Sequence, residues 1–134
     1  MFINLTNHPV AKWSQEQIEA AKNLGGKLVC MTKYMPVVPP EASEYEVLVL
    51  VNDLINCIRK EIDTDIVNII CLVQGEYTLT YCLVYQLQQE EDWCQCVVAT
   101  TNRDVVEVLQ LDGSIKKESV FRFVKFREYP KFNW

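Results

Sequence analysis

Apolar residues along the chain fall into two alternating patterns. Short unbroken runs are typical of strands buried on both faces, and longer stretches with spacings of three and four are typical of amphipathic helices. The predicted strands are residues 2–5, 27–31, 65–73 and 93–100. Of these, residues 65–73 form a nearly unbroken apolar run with β-branched residues and are the predicted central strand. Predicted helices begin after Ser14 and after Ser43, and a third extends from Leu79 to about Gln89.

Local signals mark the ends of the first two helices. Ser14 with Gln17 forms a capping box, and Gly25 and Gly26 close the helix that follows. A second capping box at Ser43 opens the longest predicted helix. Strands that alternate with helices predict right-handed crossovers and a parallel sheet with helices on both faces.

The last part of the chain has a different pattern. Residues 104–111, an Asp112-Gly113 turn and residues 118–128 predict an antiparallel hairpin. Its second arm alternates between two faces, with Val120, Arg122, Val124 and Phe126 on one and Phe121, Phe123, Lys125 and Arg127 on the other. The predicted fold is therefore one α/β domain over residues 1–134, a Rossmann-like three-layer sandwich with a mostly parallel central sheet and a C-terminal antiparallel hairpin.

Charge and hydropathy narrow the partners. The 134 residues carry 13 Lys and Arg against 18 Asp and Glu, a formal net charge of −5, which repels a long polyphosphate chain. We therefore expect no DNA partner, although a local cluster of cations and helix-end amides can still hold a small anion. No apolar run approaches the length of a membrane span, and the amino-terminal stretch has no basic leader. We expect a cytoplasmic protein with no membrane partner.

The cysteines indicate a reducing compartment. The six are Cys30, Cys57, Cys71, Cys82, Cys94 and Cys96, and most lie inside apolar runs as small hydrophobic residues. None forms a C-x-x-C motif, and Cys94 and Cys96 share one face of a strand without a second ligand pair nearby. We expect no metal site and no cofactor.

Candidate chemistry lies where parallel strands end, because ligands of open parallel sheets bind outside the carboxyl ends of the strands. Three predicted loops at this edge are rich in hydroxyls, amides and cations that suit phosphate and ribose. The candidate residues are Thr6, Asn7, His8, Lys12, Gln74, Gly75, Glu76, Thr78, Thr100, Thr101, Asn102 and Arg103. The alternative for any of the short polar side chains is a turn or a helix cap.

Individual candidates also allow two interpretations each. His8, the only histidine, is either a general acid or base or a turn residue before Pro9. Arg103 either pairs with phosphate or is a solvated charge entering the hairpin. Glu76 suits a helix cap better than a phosphate site. No G-x-G-x-x-G, G-K-[ST] or nucleophile elbow is present, which weakens dinucleotide, NTPase and hydrolase interpretations.

Five short segments, taken together, resemble the small stand-alone CRISPR-associated proteins of the Csx type. They are residues 2–9, 13–17, 74–80, 99–103 and 121–127. The resemblance implies a CARF-like Rossmann domain that binds cyclic oligoadenylate, with cyclic tetra-adenylate as the expected ring, between the two copies of a homodimer. It further implies a ring nuclease of type III CRISPR antiviral defence, which linearises the messenger without a metal by attack of a ribose 2′-hydroxyl on the neighbouring phosphate.

The same resemblance implies roles for the loop residues. His8 would transfer a proton or contact phosphate, Lys12 and Arg103 would hold phosphate, and Asn7 and Thr101 would contact ribose or phosphate. Gly75 would let the backbone approach the ligand. Two other functions stay open: a module that binds the messenger without cutting it, and a structural subunit that docks a partner through exposed aromatic residues Tyr129, Phe132 and Trp134.

Overall fold

The computed structural model describes residues 1–62, 68–90 and 94–132. These residues form five strands and three helices. In chain order they are β1 (Phe2–Thr6), α1 (Gln15–Gly25), β2 (Leu28–Cys30), α2 (Glu44–Glu61), β3 (Ile69–Gln74), α3 (Tyr77–Glu90), β4 (Cys94–Leu109) and β5 (Ile115–Glu128). Short 3-10 turns at Val10–Lys12 and Thr32–Tyr34 follow the first two strands.

All five strands belong to one sheet in the order β2-β1-β3-β4-β5. The first four are parallel, and β5 is antiparallel to β4. The chain moves from β1 to β2 in one direction across the sheet and then returns past β1 to β3, so the strand order reverses between β1 and β3. The predicted α/β fold, with a mostly parallel sheet and an antiparallel pair at the end, is confirmed.

Alternate residues of the strands pack against helices on opposite faces of the sheet. Ile3 and Cys71 belong to the buried cluster that contains apolar residues of α2 and α3. Phe2 and Leu72 belong to a second cluster, with Trp13 and Ala21 of the α1 side. Among the described elements, α2 and α3 cover one face and α1 is the helix on the other, so these elements leave part of that second face uncovered.

The predicted helix signals act as expected. The side chains of Ser14 and Ser43 accept hydrogen bonds from the backbone N–H groups three residues later, at Gln17 and Glu46. At the other end of α1, Gly26 has a φ of +75°, a left-handed conformation that glycine adopts without strain. Trp93 and the beginning of the predicted third strand, residues 65–67, lie outside the described residues.

The predicted loop at residues 100–103 is wrong. β4 pairs with β3 only from Cys94 to Val97, yet it remains an uninterrupted strand to Leu109. The polar residues after Val97 stay extended because each one pairs with β5, which lies on the other side of β4. The two strands thus continue past the parallel sheet as a two-stranded ribbon, which we call the β4–β5 ribbon.

The strict alternation predicted for the second arm is also wrong. Thr100 pairs with Lys125, but Thr101 pairs with Phe123, so Val124 has no partner on β4 and forms a β-bulge. The bulge brings Phe123 and Phe126, three residues apart, to the same side of the ribbon, with ring centroids 4.9 Å apart.

The cysteines are more varied than predicted. Cys71, Cys94 and Cys96 are buried, and the Sγ atoms of Cys71 and Cys94 are 3.4 Å apart. The hydrogen bond to Cys71, together with burial, raises the pKa of the Cys94 thiol well above its usual range. Cys30 is exposed, contrary to the buried role expected for most of the cysteines. Within residues 1–62, 68–90 and 94–132, no group of three or more His, Cys, Asp or Glu side chains is placed to hold a metal ion.

None of the described helices combines the length and the apolar character that crossing a bilayer requires.

Candidate functional site

A cavity of about 900 Å³ opens at the carboxyl ends of the parallel strands, between the beginning of α1 and the β4–β5 ribbon. It lies on the face that carries α1 alone, beside the point where the strand order reverses. The candidates that line it are Thr6, Asn7, His8, Lys12, Gln74, Gly75 and Thr101. Glu76, Thr78, Thr100, Asn102 and Arg103 are not among its lining residues.

The loop after β1 is held by a buried hydrogen-bond network. Asn4 is completely buried, and its Nδ2 donates to the carbonyl oxygen of His8 at 2.9 Å. Trp13 Nε1 donates to the same oxygen at 3.1 Å. Thr6 connects these groups, since its hydroxyl donates to Asn4 Oδ1 at 2.8 Å and accepts from the His8 backbone N–H at 3.1 Å. Side chains of the strand thus fix the backbone of residues 6–8, and the exposed Asn7 and His8 side chains project from a rigid support.

The beginning of α1 also faces the cavity. Ser14, Glu16 and Gln17, all in or beside the first turn, line it. The unpaired N–H groups at a helix amino terminus carry partial positive charge, which favours an anion there. Lys12 adds a full positive charge immediately before this helix.

The charges of the lining differ from those of the whole chain. Lys12 and Arg122 are the cations of the lining and Glu16 is its acid, whereas the chain carries −5. Arg122 Nε lies 3.6 Å from Asp104 Oδ2, a largely exposed ion pair on the ribbon. Because Arg122 is paired and Glu16 offsets one charge, Lys12 and the N–H groups at the beginning of α1 are the parts of the lining that favour an anion.

Aromatic side chains form one wall. Trp13, Phe121 and Phe123 line the cavity, and Phe121 is 68% exposed. Phe126 supports them, with its ring centroid 4.9 Å from that of Phe123 and 6.3 Å from that of Trp13. Exposed aromatic faces of this kind suit the stacking of a nucleobase.

The loop after β3 divides into two parts with different roles. Gln74 and Gly75 line the cavity, whereas the carboxylate of Glu76 caps α3. Its Oε2 accepts from the Leu79 backbone N–H at 2.8 Å and from the Thr78 hydroxyl at 2.6 Å. These bonds, first the one from Thr78 and then the one from Leu79, lower the pKa of the Glu76 carboxyl. Glu76 is therefore a helix cap in this structure.

The third predicted segment, residues 100–103, is part of β4 in the ribbon. Thr101 lines the cavity, but the Thr100 hydroxyl donates to the Lys125 carbonyl at 3.0 Å and Arg103 Nε donates to Ser119 Oγ at 3.0 Å. The sequence missed Trp13, Phe121, Arg122 and Phe123 as site residues. Phe121, Arg122 and Phe123 reach the cavity through the pairing of β5 with β4. Trp13 reaches it from the segment before α1, where its Nε1 donates to the His8 carbonyl.

A second cavity of about 700 Å³ lies along the outer side of α3. Tyr77, Tyr81 and Tyr85, spaced by four residues, line it together with Tyr129 and Phe132. Tyr129 is half-buried and its hydroxyl donates to the Val73 carbonyl at 2.8 Å, whereas Phe132 is 70% exposed. Trp134, the third aromatic residue of the predicted docking surface, lies outside the described residues.

Comparison with known proteins gives one positive result. Neither the curated proteins nor the solved structures contain a match to this chain. A family model described as "Uncharacterized protein MJ1673 family" matches residues 1–127, which is nearly the whole chain and includes every residue of the cavity lining. The protein therefore belongs to the MJ1673 family.

Proposed function

We propose that the cavity between α1 and the β4–β5 ribbon binds an anionic nucleotide, and that its ligand is a cyclic oligoadenylate such as cyclic tetra-adenylate. The observation that carries this proposal is that the loop after β1, the loop after β3, Thr101 and an aromatic wall all line the same cavity. Its volume of about 900 Å³ is at the upper end of the range of about 300–1,000 Å³ for small-molecule sites, which leaves room for more than one nucleotide unit.

The position of the cavity supports the same ligand class. The order β2-β1-β3-β4-β5 matches one of the two common orders of doubly wound, Rossmann-like sheets, apart from the direction of β5. Such sheets bind ligands where the order reverses, outside the carboxyl ends of the strands. The strand order supports a Rossmann-like fold, which we propose for this chain, and the CARF-like part of the proposal rests on the resemblance of the sequence alone.

Each part of the ligand has a matching part of the lining. Lys12 and the N–H groups at the beginning of α1 suit phosphate, and the side chains of Asn7 and Thr101 suit ribose hydroxyls. The rings of Phe121 and Phe123 offer a surface for adenine. A cyclic ligand with internal two-fold symmetry suits a site shared by two copies of the chain, so the proposal includes a homodimer.

The reaction that we propose is linearisation of the ring. The 2′-oxygen of one ribose forms a bond to the adjacent phosphorus while the bond from phosphorus to the 5′-oxygen of the next nucleotide breaks. The 2′-hydroxyl loses its proton and the 5′-oxygen gains one, leaving a 2′,3′-cyclic phosphate and a 5′-hydroxyl. His8 would transfer protons and Lys12 would stabilise the charge that develops on the phosphate oxygens. Cutting the messenger would switch off type III CRISPR signalling.

A second candidate function is binding without cleavage. In the part of the chain that the structure describes, no hydrogen bond to the His8 imidazole holds the ring in one orientation, and the network around this residue reaches only its backbone. General acid and base groups are usually oriented by a further partner. A protein that only binds the messenger needs no oriented proton-transfer group, so the free His8 side chain is consistent with a sequestering or sensing function.

One experiment distinguishes the two functions. Purified protein is incubated with labelled cyclic tetra-adenylate in EDTA, and both retention of the label and formation of linear product are measured. We expect His8→Ala to slow product formation by about 10²–10⁴-fold with little change in binding. Lys12→Ala should weaken binding about tenfold, because a charge-assisted contact is lost. The control is Lys22→Ala, an exposed lysine in the last turn of α1 that does not line the cavity.

The outcomes separate cleanly. Product that depends on His8 supports the ring nuclease. Binding without product supports the sequestering function, and the absence of any binding contradicts both.

A further inference from the structure

The β4–β5 ribbon leaves one edge of β4 open. β4 pairs with β3 only as far as Val97, and residues Thr101 to Leu109 of β4 pair with β5 alone. Within the described residues no other strand lies beside this edge. Val105 is 60% exposed and Leu109 is 74% exposed. A two-stranded ribbon that leaves such side chains in water is only marginally stable without further contacts.

The two free edges of the ribbon differ in their protection. Natural edge strands resist pairing with other chains by carrying charged side chains, lysine above all, or proline. β5 follows this rule with Lys116, Lys117 and Lys125, and all three are exposed. Residues 101–109 of β4 contain neither lysine nor proline, and four of these nine residues are valine or leucine. This segment of β4 also carries three charged residues, but they are of both signs, so its edge can pair with a strand of complementary charge, whereas the β5 edge is protected by its lysines.

We propose that this edge of β4 pairs antiparallel with the same edge of a second copy of the chain, about a two-fold axis at Val105. An antiparallel pair related by an axis normal to the sheet places residues of the same face opposite each other. With the axis at Val105, Arg103 of each copy faces the partner's Glu107. Two opposite-charge pairs form, and no like charges face each other.

Other registers do not give this complementarity. Axes at Arg103, Asp104 or Glu107 place two identical charges directly opposite each other, which destabilises a pair of strands. An axis at Val106 places each of the charged residues opposite an apolar side chain. The charge pattern of residues 101–109 therefore selects the axis at Val105.

The resulting assembly is closed. Its extended sheet runs β5-β4-β4-β5 through both copies, so the outer edges are the lysine-bearing β5 strands and no unprotected β4 edge remains for a third copy. Arg103 can join the pair while its Nε donates to Ser119, because a guanidinium has five N–H donors.

The pairing also brings the second copy to the cavity. Thr101, which lines the cavity, lies opposite the partner's Leu109 in this register. The tip of the partner's ribbon would then form part of the cavity rim. This statement about the cavity rests on the proposed nucleotide function, whereas the pairing of the strands does not depend on any ligand.

The test measures oligomeric state without nucleotide, by light scattering after size exclusion at micromolar concentration. The wild-type chain should be a dimer. Arg103→Glu and Glu107→Arg should each weaken dimerisation at least tenfold, because two symmetric attractions become repulsions. The double variant R103E/E107R restores opposite charges and should return to a dimer. The control is Lys125→Glu, a charge reversal on the β5 edge, which should leave the dimer unchanged.

Amide exchange gives a second readout that does not depend on charge. In an isolated ribbon, alternate N–H groups of residues 101–109 point away from β5 and exchange fast; in the proposed dimer, both sets are protected. Circular dichroism establishes that every variant is folded. A monomeric wild-type chain, single variants that remain dimeric, a folded double variant that stays monomeric, or alternating exchange along β4 would each overturn the proposal. A dimer that binds no cyclic tetra-adenylate would leave the pairing intact and contradict only the proposed function.

Discussion

Replacement of Asn4 by alanine tests how the first loop of the cavity is held. Asn4 is completely buried, and its amide donates to the His8 carbonyl at 2.9 Å and accepts from the Thr6 hydroxyl at 2.8 Å. A third, longer contact joins Nδ2 to the Thr32 hydroxyl at 3.4 Å. The alanine side chain keeps none of these bonds.

The cost can be estimated bond by bond. Each of the two short hydrogen bonds contributes about 1 kcal/mol, and the small cavity left by the amide adds about 1 kcal/mol. Part of the loss is recovered, since the Thr6 hydroxyl can turn to the His8 carbonyl 3.2 Å away. We expect Asn4→Ala to lower the free energy of unfolding by about 2–3 kcal/mol.

Urea unfolding followed by circular dichroism measures this change, with exposed Asn23→Ala on α1 as the matched control, expected to stay within about 0.5 kcal/mol of the wild type. Since the loop carries Asn7 and His8, Asn4→Ala should also weaken nucleotide binding at a temperature where the variant is fully folded. A loss of stability below about 0.5 kcal/mol would refute the idea that the strand holds the loop.

Three further predictions follow from single contacts. Gly75→Ala should leave the melting temperature unchanged or slightly higher, because a Cβ there meets only Thr80 Oγ1 at 4.0 Å. It should weaken ligand binding if the ligand contacts the backbone of this lining residue, and calorimetry and a binding assay measure the two effects. The pKa of the Glu76 carboxyl lies below its ordinary value of 4.5, so its cap stabilises the fold above pH 4.5 and is lost as the pH falls through the lowered pKa. In Glu76→Gln the melting temperature should therefore fall less steeply on the acid side. A melting temperature that falls as steeply with pH as in the wild type would contradict the cap. Burial raises the pKa of the Cys30 thiol, but hydrogen bonds from Thr32, from backbone N–H groups and from Asn4 outweigh burial and lower the pKa. Iodoacetamide should therefore modify the exposed Cys30 before the buried Cys71, and peptide mass spectrometry measures the order of modification.

Features set by neighbouring residues could be predicted from the sequence. Ser14 and Ser43 cap their helices through bonds to residues three positions away, so the signal and its partner lie in one short segment. The buried strand β3 was visible because both of its faces are covered and nearly all its residues are apolar. The first and second loops of the cavity followed from the rule that ligands bind at the carboxyl ends of parallel strands.

The third segment could not be predicted in the same way. Thr100 and Arg103 have the composition of a loop, and they stay extended only because β5, about twenty residues later, pairs with them. No signal near Thr101 encodes that register. The aromatic wall depends on it too, since Phe121 and Phe123 reach the cavity through the pairing of the ribbon. Non-local pairing therefore accounts for both the missed lining residues of β5 and the misplaced loop.

The bulge at Val124 makes the shape of the cavity depend on a residue count. Deleting Val124 would leave every residue pair between β4 and β5 intact, because Val124 faces no residue of β4. What would change is the direction of the ribbon, since a bulge bends its strand and increases the local twist. The wall formed by Phe121 and Phe123 would swing relative to α1, although no lining residue had been replaced. Deleting one residue would thus change the shape of this cavity. We expect relatives that lack or add a residue at this point of β5 to bind ligands of different size or shape between α1 and the ribbon.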